Sequence, residues 1–478
     1  MRFSDYFELN KSQVELDFVD IPLTTDLPLY VDPYALSLED AEWFVACNNL
    51  VIDFFELVVN CIRENEENRA RRLLQNLREP NDTHLGLSSG RPRGSGIGGM
   101  QSEQIFERLR QSEAVRTGML TDLADAELVI PGIGRDKISD ITTNIIRGPL
   151  LEYSKTQCVL NGVPVQRVPG GMCWDPSRGN WRSVYAELPV YGGNRIVLVP
   201  KAAVRHDLII DHQEYYQHFV LNYLQSEHLD AGSSLVHTLK NGRRVVYKKD
   251  LKEKHPLDKE FLYEFTREHP EVLEQYKGSL PPVPATISDR DIEMVQPDPR
   301  EVDVKAILDR LQDIPAGNEA ASTYHNTILG ALTAIFSPSL VYPRKEQEIN
   351  EGRKRIDIAF TNRDKTGFFY FLTTVHGIQC PYIFFECKNY GRDVANPEVD
   401  QLAGRFSDTR GRFGFLVCRD ISDRDTLARR CRDLVRDKHE FILVLTDQDI
   451  SALLMMKSRQ DHTAIDDYLD RRLAELTM

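Results

Sequence analysis

Two short stretches decide how this chain is read: RIDIAF at residues 355–360 and YIFFECKNY at residues 382–390. Asp357 sits within the first apolar run, and Glu386 and Lys388 close the second. Side chains alternate across a strand, so Glu386 and Lys388 share one face and Cys387 turns to the other. Two carboxylates and an ammonium at neighbouring strand ends can hold a divalent metal against a phosphodiester. That is the minimal equipment for metal-assisted hydrolysis of nucleic acid.

The flanking sequence is regular. Apolar spacing predicts a helix over residues 319–336, then three extended runs, RKRIDIAFT, GFFYFLTTV and PYIFFECK. A helix over 398–406, the strand GRFGFLVCR, the helix DTLARRCRDLVRD and the strand FILVLT follow. GFFYFLTTVHGIQC, residues 367–380, is read as an inserted strand and turn.

With Asp357, Glu386 and Lys388 set in an αβββαβ order, residues 320–456 resemble the PD-(D/E)xK nuclease superfamily. The resemblance implies an α/β C-terminal domain with a restriction-endonuclease-like core. It implies that Asp357, Glu386 and the main-chain carbonyl of Cys387 ligate Mg²⁺, with Mn²⁺ able to substitute; Mg²⁺ prefers oxygen ligands and keeps several waters. Lys388 would orient or help deprotonate the attacking water and offset phosphate charge. Gln401 resembles the helical glutamine that some members aim into the site. Many members carry a further acid on or after the first helix; the candidates are Glu319, Glu346 and Glu348, with Glu348 preferred. Arg353, Lys354 and Arg355 are placed to contact phosphate. Two departures stand out: Ile356 replaces the proline that names the family, and the spacing from Asp357 to Glu386 is longer than in compact members.

The competing reading takes Glu386 and Lys388 as a solvated pair at a strand edge, with Asp357 paired to Arg353 or Arg355. A related alternative keeps the fold for nucleic-acid binding or assembly without catalysis. A third keeps the chemistry on RNA, since the catalytic groups address phosphate rather than sugar. DNA is the expected substrate. A long non-catalytic front joined to such a nuclease resembles prokaryotic restriction or antiphage-defence effectors. A homo-oligomer is expected, because one active site cuts one strand, and a partner protein is a candidate regulator.

The 478 residues exceed one ordinary core. We expect a mostly helical N-terminal region over 1–158, a mixed α+β middle region over 159–302, and the nuclease domain over 303–478. The fold of the first two regions is unknown. The stretch 279–302, rich in proline and acids, reads as a linker. VPGGMCWDPSRGNW, residues 168–181, reads as a loop and NRIVLVPKAAV, residues 194–204, as a strand. No apolar run reaches the roughly 18 residues of a membrane span, and no signal-peptide core opens the chain, so a cytoplasmic protein with no membrane partner is expected. Eight cysteines without paired spacing read as reduced thiols.

A net charge of −14 excludes a uniformly basic surface but not a local positive groove. Residues 321–457 carry a slight positive excess, so the acidity lies mainly upstream. Gly94, Gly96 and Gly99 match GxGxxG with no strand before them, which fails the dinucleotide context. Arg91 and Arg93 could make that loop a phosphate clamp. LVIPGIGRDKISDI, residues 128–141, resembles the hairpin of a helix-hairpin-helix motif, with Gly132, Gly134, Arg135 and Lys137 facing phosphate; the alternative is an ordinary turn before a helix. His206, Asp207, Asp211 and His212 form a cluster that lacks a third ligand at convincing spacing and reads as a solvated junction.

Overall fold

The computed structural model describes residues 1–86, 97–117, 120, 122–281, 286–345 and 358–477. The C-terminal region is built on α1 (Ala321–Phe336), β1 (Leu340–Lys345), β2 (Ile358–Asn362), α2 (Phe368–Thr374), β3 (Tyr382–Lys388), α3 (Asn396–Ala403), β4 (Phe413–Cys418), α4 (Arg424–Lys438), β5 (Phe441–Thr446), α5 (Asp447–Ser458) and α6 (His462–Thr477). The five strands form one mixed sheet in the order β5-β4-β3-β2-β1. β3, β4 and β5 run parallel, while β2 is antiparallel to both of its neighbours.

Alternation divides the sheet's side chains between two apolar layers. Phe385, Phe415 and Leu443 pack on one face with Leu332 and Ile335 of α1 and with α5 and α6. Phe384, Leu416 and Ile442 pack on the other with Leu402 of α3 and Leu427 of α4. Both faces of the parallel half are covered, as parallel strands require.

One expected strand is corrected and one strand is added. GFFYFL is helix α2, not an inserted strand. Its aromatic run suits a strand by composition, but Asp364 accepts from the amides of Gly367 and Phe369 at 3.1 and 3.2 Å, and Asp466 from that of Phe368 at 3.0 Å. These carboxylates satisfy the first-turn donors that a helix leaves open. The remaining strand is LVYPRK, β1, which the sequence reading passed over. Pro343 disfavours a central strand but is tolerated on an edge, and β1 is the edge strand.

Upstream, residues 168–181 are not a loop. Gln166–Asp175 pairs with Asn180–Leu188 in a long hairpin, with Trp174 opposite Trp181 and Phe54 against both. Of NRIVLVPKAAV, Asn194–Arg195 pairs with Val190–Tyr191, and Val204, with Arg205 after it, pairs with Tyr30–Val31; Ile196–Val199 lies buried between, with the Val197 and Leu198 amides donating to Asp82 O and Ser154 Oγ instead of a ladder. The expected linker is likewise corrected. Its helix Asp289–Met294 places Glu293 in a buried, two-pronged pair with Arg2, at 2.6 and 2.9 Å, and Gln296 donates to Asp20 O. The counter-charge lies 291 residues away, beyond any local pattern.

The front part holds one apolar core drawn from Phe3 to Ile292, which also takes in Val341 of β1. Among the described residues, the helix Glu42–Arg63 alone is long and apolar enough to cross a membrane; its Phe44, Cys47, Val51, Phe54 and Val58 are buried in this core. All eight cysteines are buried and free. The N-terminal segment also reaches the first helix of the sheet domain. Glu15 packs where Gly330 of α1 has no side chain, and a Cβ there would lie 2.8 Å from Glu15 Oε1. Gly330→Ala is therefore expected to lower the denaturation midpoint, costing about 1–3 kcal/mol of overpacking.

Asp20 is buried and accepts from Ser4 N and Ser4 Oγ at 2.9 and 2.6 Å. Burial raises its carboxyl from 3.8 to about 6. Below pH 4 both folded and unfolded chains are protonated here; above it the unfolded chain ionises first. The stability Asp20 contributes is thus full in acid and is lost as pH rises through about 6. Asp20→Asn is expected to flatten this part of the stability profile between pH 4 and 6 in denaturant titrations.

Candidate active site at the end of strand β3

β3 is the middle strand of the sheet, and its last residues carry the chemistry. Glu386 and Lys388 point to the α3 side and are 0 % and 2 % exposed. Lys388 Nζ donates to Glu386 Oε1 and, at 3.2 Å, to Gln401 Oε1 from α3. The helix is placed by Pro397 in its first turn, by Glu398, which accepts from the Ala395 amide at 2.8 Å, and by Val399 and Leu402, which pack on the sheet. Three of the residues singled out in the sequence thus meet in one group, with Glu386 and Lys388 buried and Gln401 half-buried. The solvated-edge reading of Glu386 and Lys388 does not survive their burial.

Cys387 takes the opposite face and joins the α1-side core, where burial pushes its thiol up to about 12. Its carbonyl accepts from His325 Nε2 of α1 at 2.8 Å. Burial lowers the pKa of His325, so the ring is held neutral with its proton on the nitrogen facing that carbonyl. A cation at this carbonyl would share the oxygen with the imidazole.

Two residues were missed in the sequence. Arg405 follows Gln401 by four positions, in the turn just past the end of α3, and its Nη2 lies 3.7 Å from Glu386 Oε2. That closeness in sequence could have flagged it. His325 has no local signal.

The donor set fits a hard cation on one observation. Glu386 Oε2 is buried and, among the described residues, has no hydrogen-bond donor. A buried carboxylate oxygen left open in this way is a ligand position of the right chemistry. Asp357, Glu348 and Glu346 lie outside the described residues, as do Arg353, Lys354 and Arg355. Ile358, the chain neighbour of Asp357, pairs with Phe385, the chain neighbour of Glu386.

The other candidates do not join this group. Arg91, Arg93, Gly94 and Gly96 lie outside the described residues. In the 128–141 hairpin, Gly132 has φ +69° and Ile133 is buried. Lys137 donates to Gly132 O at 3.1 Å, Lys259 caps Ile133 O at 2.7 Å, and Arg135 pairs with Asp207. Both cations are engaged by groups of the fold itself and sit in the first turn of an ordinary helix, Arg135–Ile145. The 206–212 cluster gains the third ligand that sequence spacing could not supply, since Glu127 comes within 4.8 Å of Asp211 and His212. Those groups are already matched. Glu127 accepts from His212 N at 2.7 Å and faces Lys259 Nζ at 3.6 Å, and Asp211 caps the helix His212–Tyr215.

Comparison with known proteins places residues 8–211 in a match to the family model of a domain of unknown function, DUF8370. That match covers the front of the chain and stops well before the sheet. The 80.3 kDa protein of transposon gamma-delta from Escherichia coli (strain K12) is similar over 178 residues at 25% identity, 36% of this chain and 25% of that one. The chain therefore spans about a quarter of that relative's length. No solved structure matches the chain.

Proposed function

We propose that the C-terminal domain is a Mg²⁺-dependent nuclease of the PD-(D/E)xK type, with a restriction-endonuclease-like fold, that hydrolyses phosphodiester bonds in DNA. One observation carries the reading: buried Glu386 and Lys388 meet half-buried Gln401 at the end of the central strand, with one carboxylate oxygen of Glu386 left, among the described residues, without a hydrogen-bond donor. Glu386, together with Asp357 and the Cys387 carbonyl, would hold the cation. When bound, the cation polarises a phosphoryl oxygen and lowers the pKa of a water.

The chain's own groups supply the rest. Lys388 Nζ, held between Glu386 and Gln401, is placed to orient the attacking water and to offset charge on the phosphate. Gln401 fixes the lysine's position from α3. Arg405, next to Glu386, adds a second cation on the side from which a phosphate would enter. Burial strengthens each of these interactions relative to water. The similar protein's description as a transposon product accords with DNA as the substrate. A cytoplasmic homo-oligomer, in which the front region controls access, completes the reading, and a restriction or antiphage-defence role follows from the family resemblance.

A second reading has its own support. The ammonium of Lys388 already occupies Glu386, and neither is exposed, as expected of a nuclease fold that binds nucleic acid without cutting it. The full chain incubated with circular single-stranded DNA, duplex DNA and RNA in Mg²⁺ separates the two. Metal-dependent opening of a DNA circle is expected and marks endonuclease action. Cutting of RNA alone would move the substrate, and intact substrates throughout would favour the silent fold.

A further inference from the structure

We infer that a second nucleic-acid contact lies far along the chain from the sheet, on the basic hairpin and helix between His237 and Lys254, and that it grips the phosphate backbone. In a chain of net charge −14, residues 240–254 hold seven lysines and arginines against two acids. The segment is built as a rigid platform. His237–Thr238 pairs with Arg244–Val245 across an Asn241-Gly242 turn, with Gly242 at φ +80°. Val246 and Leu251 are buried and anchor the segment, Gln225 Nε2 donates to Val246 O at 2.6 Å, and Arg244 Nη2 braces the hairpin on Leu229 O at 2.9 Å. Lys248 is spent on the same task, donating to Gln217 O at 2.7 Å.

The remaining cations are left over for solvent. Lys240, Arg243, Lys249, Lys252 and Lys254 are exposed, and among the described residues none has an ion pair or a side-chain hydrogen bond. One of the two acids, Asp250, is held at 2.8 Å from His237 Nε2 rather than by any of these five cations. Elsewhere in this protein arginines are commonly paired: Arg69, Arg71 and Arg110 each meet glutamates on the same surface. Five unpaired like charges on one short platform repel one another, and a polyanion relieves that repulsion.

The surroundings favour nucleic acid over an acidic protein. Protein interfaces carry an apolar core, whereas the exposed apolar side chains here are Tyr247 and Leu257. Nucleic-acid interfaces are polar and strongly positive. The ring of Tyr247, 48% exposed at the base of the hairpin, offers a stacking face beside the cations.

The inference takes its partner from the proposed function but not its chemistry. The test is binding of the full chain to a labelled 30-base-pair duplex, in EDTA, across a salt series, so a dead catalytic centre leaves the readout intact. The variant neutralises four exposed cations together: Lys240→Gln, Arg243→Gln, Lys249→Gln and Lys252→Gln. Each neutralised phosphate contact contributes about 0.9 to the log–log salt slope. The expected result is a Kd at least tenfold weaker and a slope smaller by about 3 to 4. Unchanged affinity and slope would overturn the inference, as would wild-type binding that polyglutamate displaces as readily as unlabelled DNA. Cross-linking to the duplex from a reactive probe at Arg243→Cys, in an otherwise native chain, is the companion measurement, and absence of a cross-link to that duplex counts against the contact. Loss of cutting with retained binding would strike only the catalytic reading.

Discussion

Lys388→Ala is expected to lower metal-dependent phosphodiester cleavage by about 10²–10⁴, the range typical of a positioned acid–base group. The argument is geometric. The ammonium bridges Glu386 and Gln401, so its loss removes both the group that orients water and the charge that offsets the phosphate. The same change leaves Glu386 buried with Arg405 at 3.7 Å as its ionic neighbour among the described residues. Breaking a buried pair by removing one partner costs about 3–5 kcal/mol. Added Mg²⁺ is expected to recover part of that loss in Lys388→Ala, because the cation supplies the missing charge. Denaturant midpoints with and without Mg²⁺, beside cleavage rates, separate the chemical role from the structural one. A variant that cuts as fast as wild type would remove Lys388 from the mechanism.

Arg363→Ala is expected to be the most destabilising single change outside the site. Arg363 follows β2 and pairs with Glu39, both 4% exposed. It also donates to Thr286 Oγ1 at 3.0 Å and lies 5.7 Å from the Phe44 ring centroid. The sheet meets the front region through further contacts, with Tyr382 bonded to Glu42, and Asp17 accepting from Tyr153 OH and Tyr342 N. The edge strand β1 is covered there rather than left open to pairing. Truncating the arginine strands a buried carboxylate, at a cost of about 3–5 kcal/mol. The double change Arg363→Met with Glu39→Leu removes both charges and is expected to recover most of the loss. Equal destabilisation by the single and double variants would show that packing, not charge, holds this junction.

The candidate site was readable because strand alternation is a local rule. It put Glu386 and Lys388 on one face and Cys387 on the other before any contact was known, and the next helix carried Gln401 within reach. What went unread depends on distant partners. LVYPRK, with Pro343 in it, went unread as a strand and is found at the sheet's edge, and GFFYFL looked extended until Asp364 and Asp466 supplied the caps. The 279–302 segment passed for a tether because Arg2, its anchor, lies at the other end of the sequence. His325 behind the Cys387 carbonyl is of the same kind: a single histidine on an apolar helix gives no sign of what it will touch.

The direct measurement is cleavage of supercoiled plasmid by the purified chain in Mg²⁺, in Mn²⁺ and in EDTA, with Glu386→Gln beside it. The account predicts nicked or linear DNA in either metal, none in EDTA and none from the variant. Equal cleavage by wild type and Glu386→Gln, or cleavage that persists in EDTA, would contradict it.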